Sequence, residues 1–202
     1  MENTLDQQKA DNHIKLPIRV KIGYGFIEIG HSGVEIMVRL SLLIFYTEMI
    51  GLKPYLAGIA IGLAIVWDAL TDPIVGRISD IYSFHGERRR PYFIPGSILL
   101  GMFVAGLFTV PSLDSQAAKF SWLLFFYIMV NTSLTLTSVP HLALAADMTE
   151  DSDERTQMFA WRLLFGNIGL LLGTGLPYIW QTYGYVKPQD DQLSAYSIAL
   201  LC

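Results

Sequence analysis

The chain has 202 residues, 52% of them apolar and only 16% charged, with a mean hydropathy of +0.40 and a formal net charge of -4. Soluble domains carry about a quarter charged residues, so this balance argues against an ordinary soluble domain. The single cysteine, Cys202, excludes an intrachain disulfide and any cysteine-based metal site.

The first 21 residues mix acids and bases (Glu2, Asp6, Lys9, Asp11, Lys15, Arg19, Lys21) without an apolar core. That pattern is not a cleavable signal peptide and reads as a solvated tail. Beyond it the charges gather in short clusters, and the stretches between them are apolar for about 20 residues or more. Such a stretch crosses about 30 Å of hydrocarbon as a helix. Five complete spans are expected, over residues 22–50, 54–81, 91–111, 120–146 and 158–183, within a bundle occupying 22–202. A sixth apolar stretch begins at 193 and has run about ten residues when the chain stops at Cys202. A fragment of a longer transmembrane bundle is therefore expected. Lys9, Lys15, Arg19, Lys21, Arg88, Arg89, Arg90 and Arg155 fall on one side, and Lys53, Lys119 and Lys187 on the other. By the positive-inside rule the N-terminal tail is cytoplasmic, in a plasma membrane and most simply a bacterial inner membrane.

The first span carries Glu28, His31, Ser32, Glu35 and Arg39 near one stripe. Polar stripes of this kind face a bundle interior or an aqueous cavity. Glu35 and Arg39 are spaced to pair along the helix, and His31 is either a titrating group or a filling residue. Glycines four apart, Gly58 and Gly62 on the second span and Gly169 and Gly173 on the fifth, suit close helix packing.

The second span contains the sequence Trp67-Asp68-Ala69-Leu70-Thr71-Asp72-Pro73. A charge in mid-membrane costs roughly 2.5–3.5 kcal/mol on insertion scales, so each aspartate needs a partner or a purpose. Asp68, Thr71 and Asp72 share one helix face. Two carboxylates that close repel each other when both are ionised, so a proton or a cation belongs between them. The competing explanation is an ion pair with Arg39, Arg77 or Arg162, which accounts for one aspartate more easily than for two.

Gly76, Asp80 and Arg88-Arg89-Arg90 join the second and third spans. Part of this cluster is topogenic, and Asp80 is placed to pair in one conformation and lose that pairing in another. The basic run is too short for a nucleic-acid surface. On the fourth span Asn131, Thr135 and Ser138 form another polar stripe, followed by Pro140, which is expected to kink the helix. Arg162 is the one charge inside the fifth span. It either anchors an anionic or hydroxylated substrate or neutralises an aspartate of the second span. No nucleophile–base constellation, phosphate loop or metal cluster is evident, so an enzyme is not expected.

Trp67-Asp68-Ala69-x-Thr71-Asp72-Pro73-x-x-Gly76, then Gly86-x-Arg88-Arg89-Arg90-Pro91, resembles the glycoside–pentoside–hexuronide:cation symporters of the major facilitator superfamily. Lys21-Ile22-Gly23-Tyr24-Gly25-Phe26 is similar to the start of that family's first helix. Asp147-Met148-Thr149-x-Asp151, Glu154-Arg155-Thr156 and Arg162 are similar to its region between the fourth and fifth helices. The resemblance covers about residues 20–183 and implies the N-terminal six-helix bundle of a twelve-helix fold. The missing C-terminal six-helix bundle would complete a transporter that works by alternating access.

In melibiose-transporting members, the positions matching Asp68, Thr71, Asp72 and Thr135 hold the coupling cation, and the one matching Arg162 is a sugar-site arginine. The two sugar-binding carboxylates of those members are Ser32 and Ser138 here, and their stacking aromatic is Leu142. The resemblance thus implies an intact site for Na⁺ or H⁺ and a substrate other than a galactoside, with Arg162, Ser32, Ser138, Glu35 and His31 near it. No cofactor beyond the coupling ion is implied, and the partners are a small-molecule substrate and the bilayer. Two other functions stand beside this one: a non-transporting scaffold or half-transporter that needs a partner chain, and a transporter of lipids or amphiphiles from the same superfamily.

Overall fold

The computed structural model describes residues 15–81 and 93–183, apart from the side chains at 79–80 and 176–183. Five α-helices account for nearly all of them: α1 Ile18–Ile44, α2 Pro54–Ile81, α3 Phe93–Phe108, α4 Gln116–Met148 and α5 Ser152–Tyr183. No strand occurs among the described residues. The expectations for residues 1–14, for Arg88, Arg89 and Arg90, and for a sixth helix starting at 193 lie outside the described residues.

Among the described residues, four stretches are long and apolar enough to cross a membrane: Ile18–Met49, Pro54–Ile78, Gln116–Met148 and Ser152–Gly175. The third expected span is the exception. Its helix, α3, has 16 residues, about 24 Å at the usual rise and short of the hydrocarbon thickness. The chain leaves it before Pro111, whose ring disfavours helical backbone at the preceding residue and which has no N–H to give. The five complete spans expected from hydropathy are thus four long helices and a shorter one.

Three starts also move upstream of the hydropathy boundaries, that of α4 from 120 to Gln116. α1 begins at Ile18, directly after Pro17, and takes up the last residues of the expected tail. Lys21 is buried there, with Nζ 2.7 Å from Glu154 and 2.7 Å from Gln157 Oε1. α5 begins at Ser152 rather than near 158, with Asp153 and Glu154 in its first turn, where the positive end of the helix dipole favours acids. Hydropathy marks where a chain is apolar; a helix also runs through polar turns that other helices cover.

α1 packs along α5, while α2 and α3 both pack on α4. A π-helical turn, Phe45–Met49, ends the first span, and Gly51 follows at φ 69°, a conformation that favours glycine. Gln116 ties this corner to α4: its Nε2 donates to Gly51 O at 2.9 Å and its Oε1 accepts from Lys53 N at 3.0 Å. Ser115 caps α4 by accepting from Ala118 N at 3.1 Å. The main apolar core lies at this end of the bundle, around Leu42, Phe45, Tyr46, Leu107, Phe108 and Leu123, all at most 2% exposed. Pro73 and Pro140 both sit inside continuous helices.

The two glycine pairs behave differently. A Cβ on Gly169 would strike the backbone of Ile29, and one on Gly173 the backbone of Gly33 and the side chain of Ile36. These glycines let the α1 and α5 backbones touch. Gly58 and Gly62 have nothing within 4 Å of a Cβ. The small residues of α2 that are packed are instead Ala57, Ala60 and Ala64, each 0% exposed and part of the main core. Substitutions should therefore have opposite signs. Gly169→Ala forces two backbones apart, at a cost of about 1–3 kcal/mol for overpacking. Gly58→Ala gains about 1 kcal/mol of helix propensity. Thermal unfolding of the detergent-purified protein should show a lower midpoint for the first and an equal or higher one for the second.

Candidate functional site

Two polar clusters sit between the helices, and α4 contributes to both. In the first, Asp68 and Asp72 project from successive turns of α2. Thr135 Oγ1 of α4 lies 2.9 Å from Asp68 Oδ1 and 3.0 Å from Asp72 Oδ1. A threonine hydroxyl has one proton, so it donates to one carboxylate at a time. The second carboxylate contact brings two acceptors together unless a positive species, a proton or a metal cation, joins them. Asp68 is half-buried and Asp72 exposed, so an ion can reach the pair. One turn earlier, Trp67 Nε1 donates to Thr132 Oγ1 at 3.0 Å, a second polar tie between α2 and α4.

Thr71 shares the face but uses its proton locally. Its Oγ1 donates to its own helix, 3.1 Å from both Trp67 O and Asp68 O. None of the arginines considered as partners pairs with the aspartates. Arg39 Nη2 lies 2.6 Å from Glu35 Oε1 on its own helix, as the spacing predicts, and Arg77 is exposed. Among the described residues, Asp68 and Asp72 have no basic side chain within ion-pair distance.

Arg162 belongs to the second cluster. Its Nε and Nη2 donate to Glu28 Oε2 and Oε1 at 2.8 and 3.1 Å, a two-pronged pair across the α1–α5 contact. The expectation that Arg162 neutralises an aspartate of the second span is therefore corrected. Glu28 sits closer because Gly166 clears the space: a Cβ there would lie 3.2 Å from Glu28 Cγ and 3.3 Å from Ser32 Oγ. Ser32 Oγ donates weakly to Glu28 Oε1 at 3.4 Å. His141 of α4 completes the group, with Nδ1 3.3 Å from Glu28 Oε2 and Nε2 2.9 Å from Tyr24 O. Tyr24 OH returns a bond to His141 O at 3.2 Å, and the two rings lie 4.4 Å apart. Sequence reading put Glu28 on the polar stripe without a role and passed over His141. Its place three residues after Ser138, on the face of Asn131, Thr135 and Ser138, was the available signal.

His31 lies between the clusters. Its Nε2 approaches Leu134 O at 3.4 Å, and its Nδ1 stands 4.0 Å from Glu35 Oε2. Ser138 is half-buried on α4, between Thr135 and His141. Leu142 is 50% exposed, so the family's aromatic position presents an aliphatic side chain. Gly76 approaches Val139, where a Cβ would sit 3.5 Å from Cγ1. Asp80 lies in α2 with its side chain outside the described residues.

With this geometry in place, similarity to known proteins is informative. The family model described as MFS/sugar transport protein matches residues 23–183. A putative glycoside/cation symporter of Escherichia coli K12 is 28% identical over 162 residues, covering 80% of this chain and 35% of that protein. An uncharacterised symporter of Synechocystis is 28% identical over 176 residues, covering 81% of this chain and 32% of its own. A putative sulfoquinovose importer of Salmonella typhimurium is 31% identical over 170 residues, covering 80% and 34%. The chain thus spans about a third of the length of the curated relatives it matches. The matched region contains the aspartate pair, the Glu28–Arg162 pair and all four long helices. The chain belongs to the MFS/sugar transport protein family, and its long apolar helices mark it as a multi-pass membrane protein.

Proposed function

We propose that this chain is the cation-binding, N-terminal portion of a secondary transporter that carries a sugar, glycoside or uronide together with Na⁺ or H⁺. The observation that carries the reading is the Thr135 hydroxyl within 3.0 Å of both Asp68 and Asp72, a set of oxygens left one positive charge short. Asp68, Asp72 and Thr135 bind the ion directly. Thr71 adds a hydroxyl oxygen from the same face, with a lone pair left over after its backbone bonds. The substrate lies against Arg162, Ser32, Ser138, His31 and Glu35, where the described polar side chains cluster. Relatives named as a glycoside/cation symporter and a sulfoquinovose importer support a sugar-class cargo.

A cation at the aspartates pulls α2 and α4 together and removes their repulsion. The ion thereby favours the conformation in which the neighbouring cavity is formed, and by linkage the substrate raises ion affinity by the same factor. A second six-helix bundle closes the cavity from the other side, so that the site opens to one face of the membrane at a time. The N-terminus lies on the cytoplasmic side of a bacterial inner membrane, and the segment that carries Gly76, Asp80, Arg88, Arg89 and Arg90 has a gating role on that side.

The test is uptake of radiolabelled glycosides and uronides into proteoliposomes, with and without Na⁺ and with and without a pH gradient. Asp72→Asn should abolish the ion-stimulated part of uptake; ion stimulation that survives the substitution overturns the reading. Thr135→Val removes a direct ligand and should weaken the ion by about tenfold, the equivalent of about 1.4 kcal/mol. Thr71→Val removes a hydroxyl already committed to its own backbone and should weaken it by less than Thr135→Val does. Isothermal titration with Na⁺ reads both.

A further inference from the structure

The Glu28–His141 contact raises a question of proton accounting. His141 is 2% exposed, and its two ring nitrogens face different acceptors. Nε2 lies 2.9 Å from Tyr24 O, a carbonyl that only accepts, so Nε2 carries a hydrogen. Nδ1 lies 3.3 Å from Glu28 Oε2, an oxygen that already accepts from Arg162 Nε at 2.8 Å. With no further proton, the Nδ1 lone pair would point at a carboxylate lone pair inside a buried cluster.

The proton has two places to sit. On Glu28 it would compete with the two-pronged Arg162 pair, in which both carboxylate oxygens are already engaged. On His141 Nδ1 it turns the contact into a charge-assisted hydrogen bond and leaves the Arg162 pair intact. The imidazolium form satisfies every group in the cluster.

We propose that Glu28 and His141 form a buried proton-binding site, separate from the aspartate pair, whose occupancy strengthens the tie of α4 to the α1–α5 pair. Glu28 comes from α1, Arg162 from α5 and His141 from α4, so the bound proton adds a tie to the two Tyr24–His141 hydrogen bonds that already hold α4 to α1. Proton loss leaves α1 and α5 joined through Arg162 and sets His141 against Glu28. The charged and titratable groups facing the site are Tyr24, Glu28 and His31 on α1 and Arg162 on α5, while α3 presents the apolar ring of Phe93, 5.9 Å from that of His141. Arg162 opposes a further positive charge, and among the described residues Glu28 is the one carboxylate touching His141. Glu28 thus decides whether the site holds its proton.

The role in transport rests on the function proposed above, but the occupancy does not, and the experiments separate the two. Nitrogen-15 NMR of histidine-labelled protein in nanodiscs, assigned with His141→Gln, should show both His141 ring nitrogens protonated at pH 7. A neutral His141 ring, with an unprotonated-nitrogen resonance at that pH, overturns the site whether or not the protein transports anything. Glu28→Gln should then convert His141 to the neutral form at pH 7, and an imidazolium that persists in that variant equally overturns it. For the functional arm, uptake between pH 6 and 9 should fall at the pH where the wild-type His141 resonances titrate, and His141→Gln should remove that step. A pH profile identical in wild type and His141→Gln overturns the link between the proton and the transport cycle.

Discussion

A carboxylate in the middle of an apolar bundle must be answered by positive charge, and the packing of this chain is arranged around Glu28. Leaving one partner of a buried pair unmatched costs about 3–5 kcal/mol, comparable to the whole stability margin of many domains. Arg162 reaches Glu28 only because α1 and α5 lie close enough for backbone to meet backbone. Gly166, Gly169 and Gly173 create that approach along one stripe of α5. In lipid, where apolar side chains gain little by leaving the solvent, small-residue contact and interhelical hydrogen bonding supply the association. Here the two occur together: the glycine stripe brings the helices near, and the ion pair holds their register.

α4 is the element that both polar clusters share. Thr132 and Thr135 face α2, and His141 reaches α1, with Pro140 buried beside it. Thr135 and His141 are six residues apart, about 9 Å along a helix axis. Each cluster needs a positive species: the aspartates because one hydroxyl cannot serve two carboxylates, the glutamate because a histidine nitrogen faces it. A rigid helix carrying a residue from each gives two ion-dependent contacts a common lever. Neither contact is large alone. Together they determine how α4 sits between α2 and the α1–α5 pair.

The aspartates and Thr135 keep the donor set that the resemblance implies for a coupling cation. The positions that the resemblance implies for the sugar carry serines at 32 and 138 and an exposed leucine at 142. Glu28 supplies a carboxylate at another position on the same stripe as Ser32, and Arg162 is bound to it. A cargo that engages Arg162 meets an arginine whose fork is already occupied, and must share or displace Glu28 to use it.

Much of this was legible in the residues themselves. Apolar length gave the four long helices, and helical periodicity put Asp68, Thr71 and Asp72 on one face. The spacing of Glu35 and Arg39 gave their pair, because covalent geometry within one helix sets those distances. What lies between helices was not legible. The sequence offered three arginines for two aspartates; spacing already placed Arg39 with Glu35, and tertiary structure gave Arg162 to Glu28. The resemblance had put both Thr71 and Thr135 with the aspartates; tertiary structure brought Thr135 to the carboxylates, left Thr71 bonded to its own helix, and brought His141 to a glutamate 113 positions away. Of two identical glycine spacings, it made one a helix contact and left the other open. The reason is physical: spacing along a helix decides which side chains share a face, whereas partners across helices depend on how closely and in what register those faces pack.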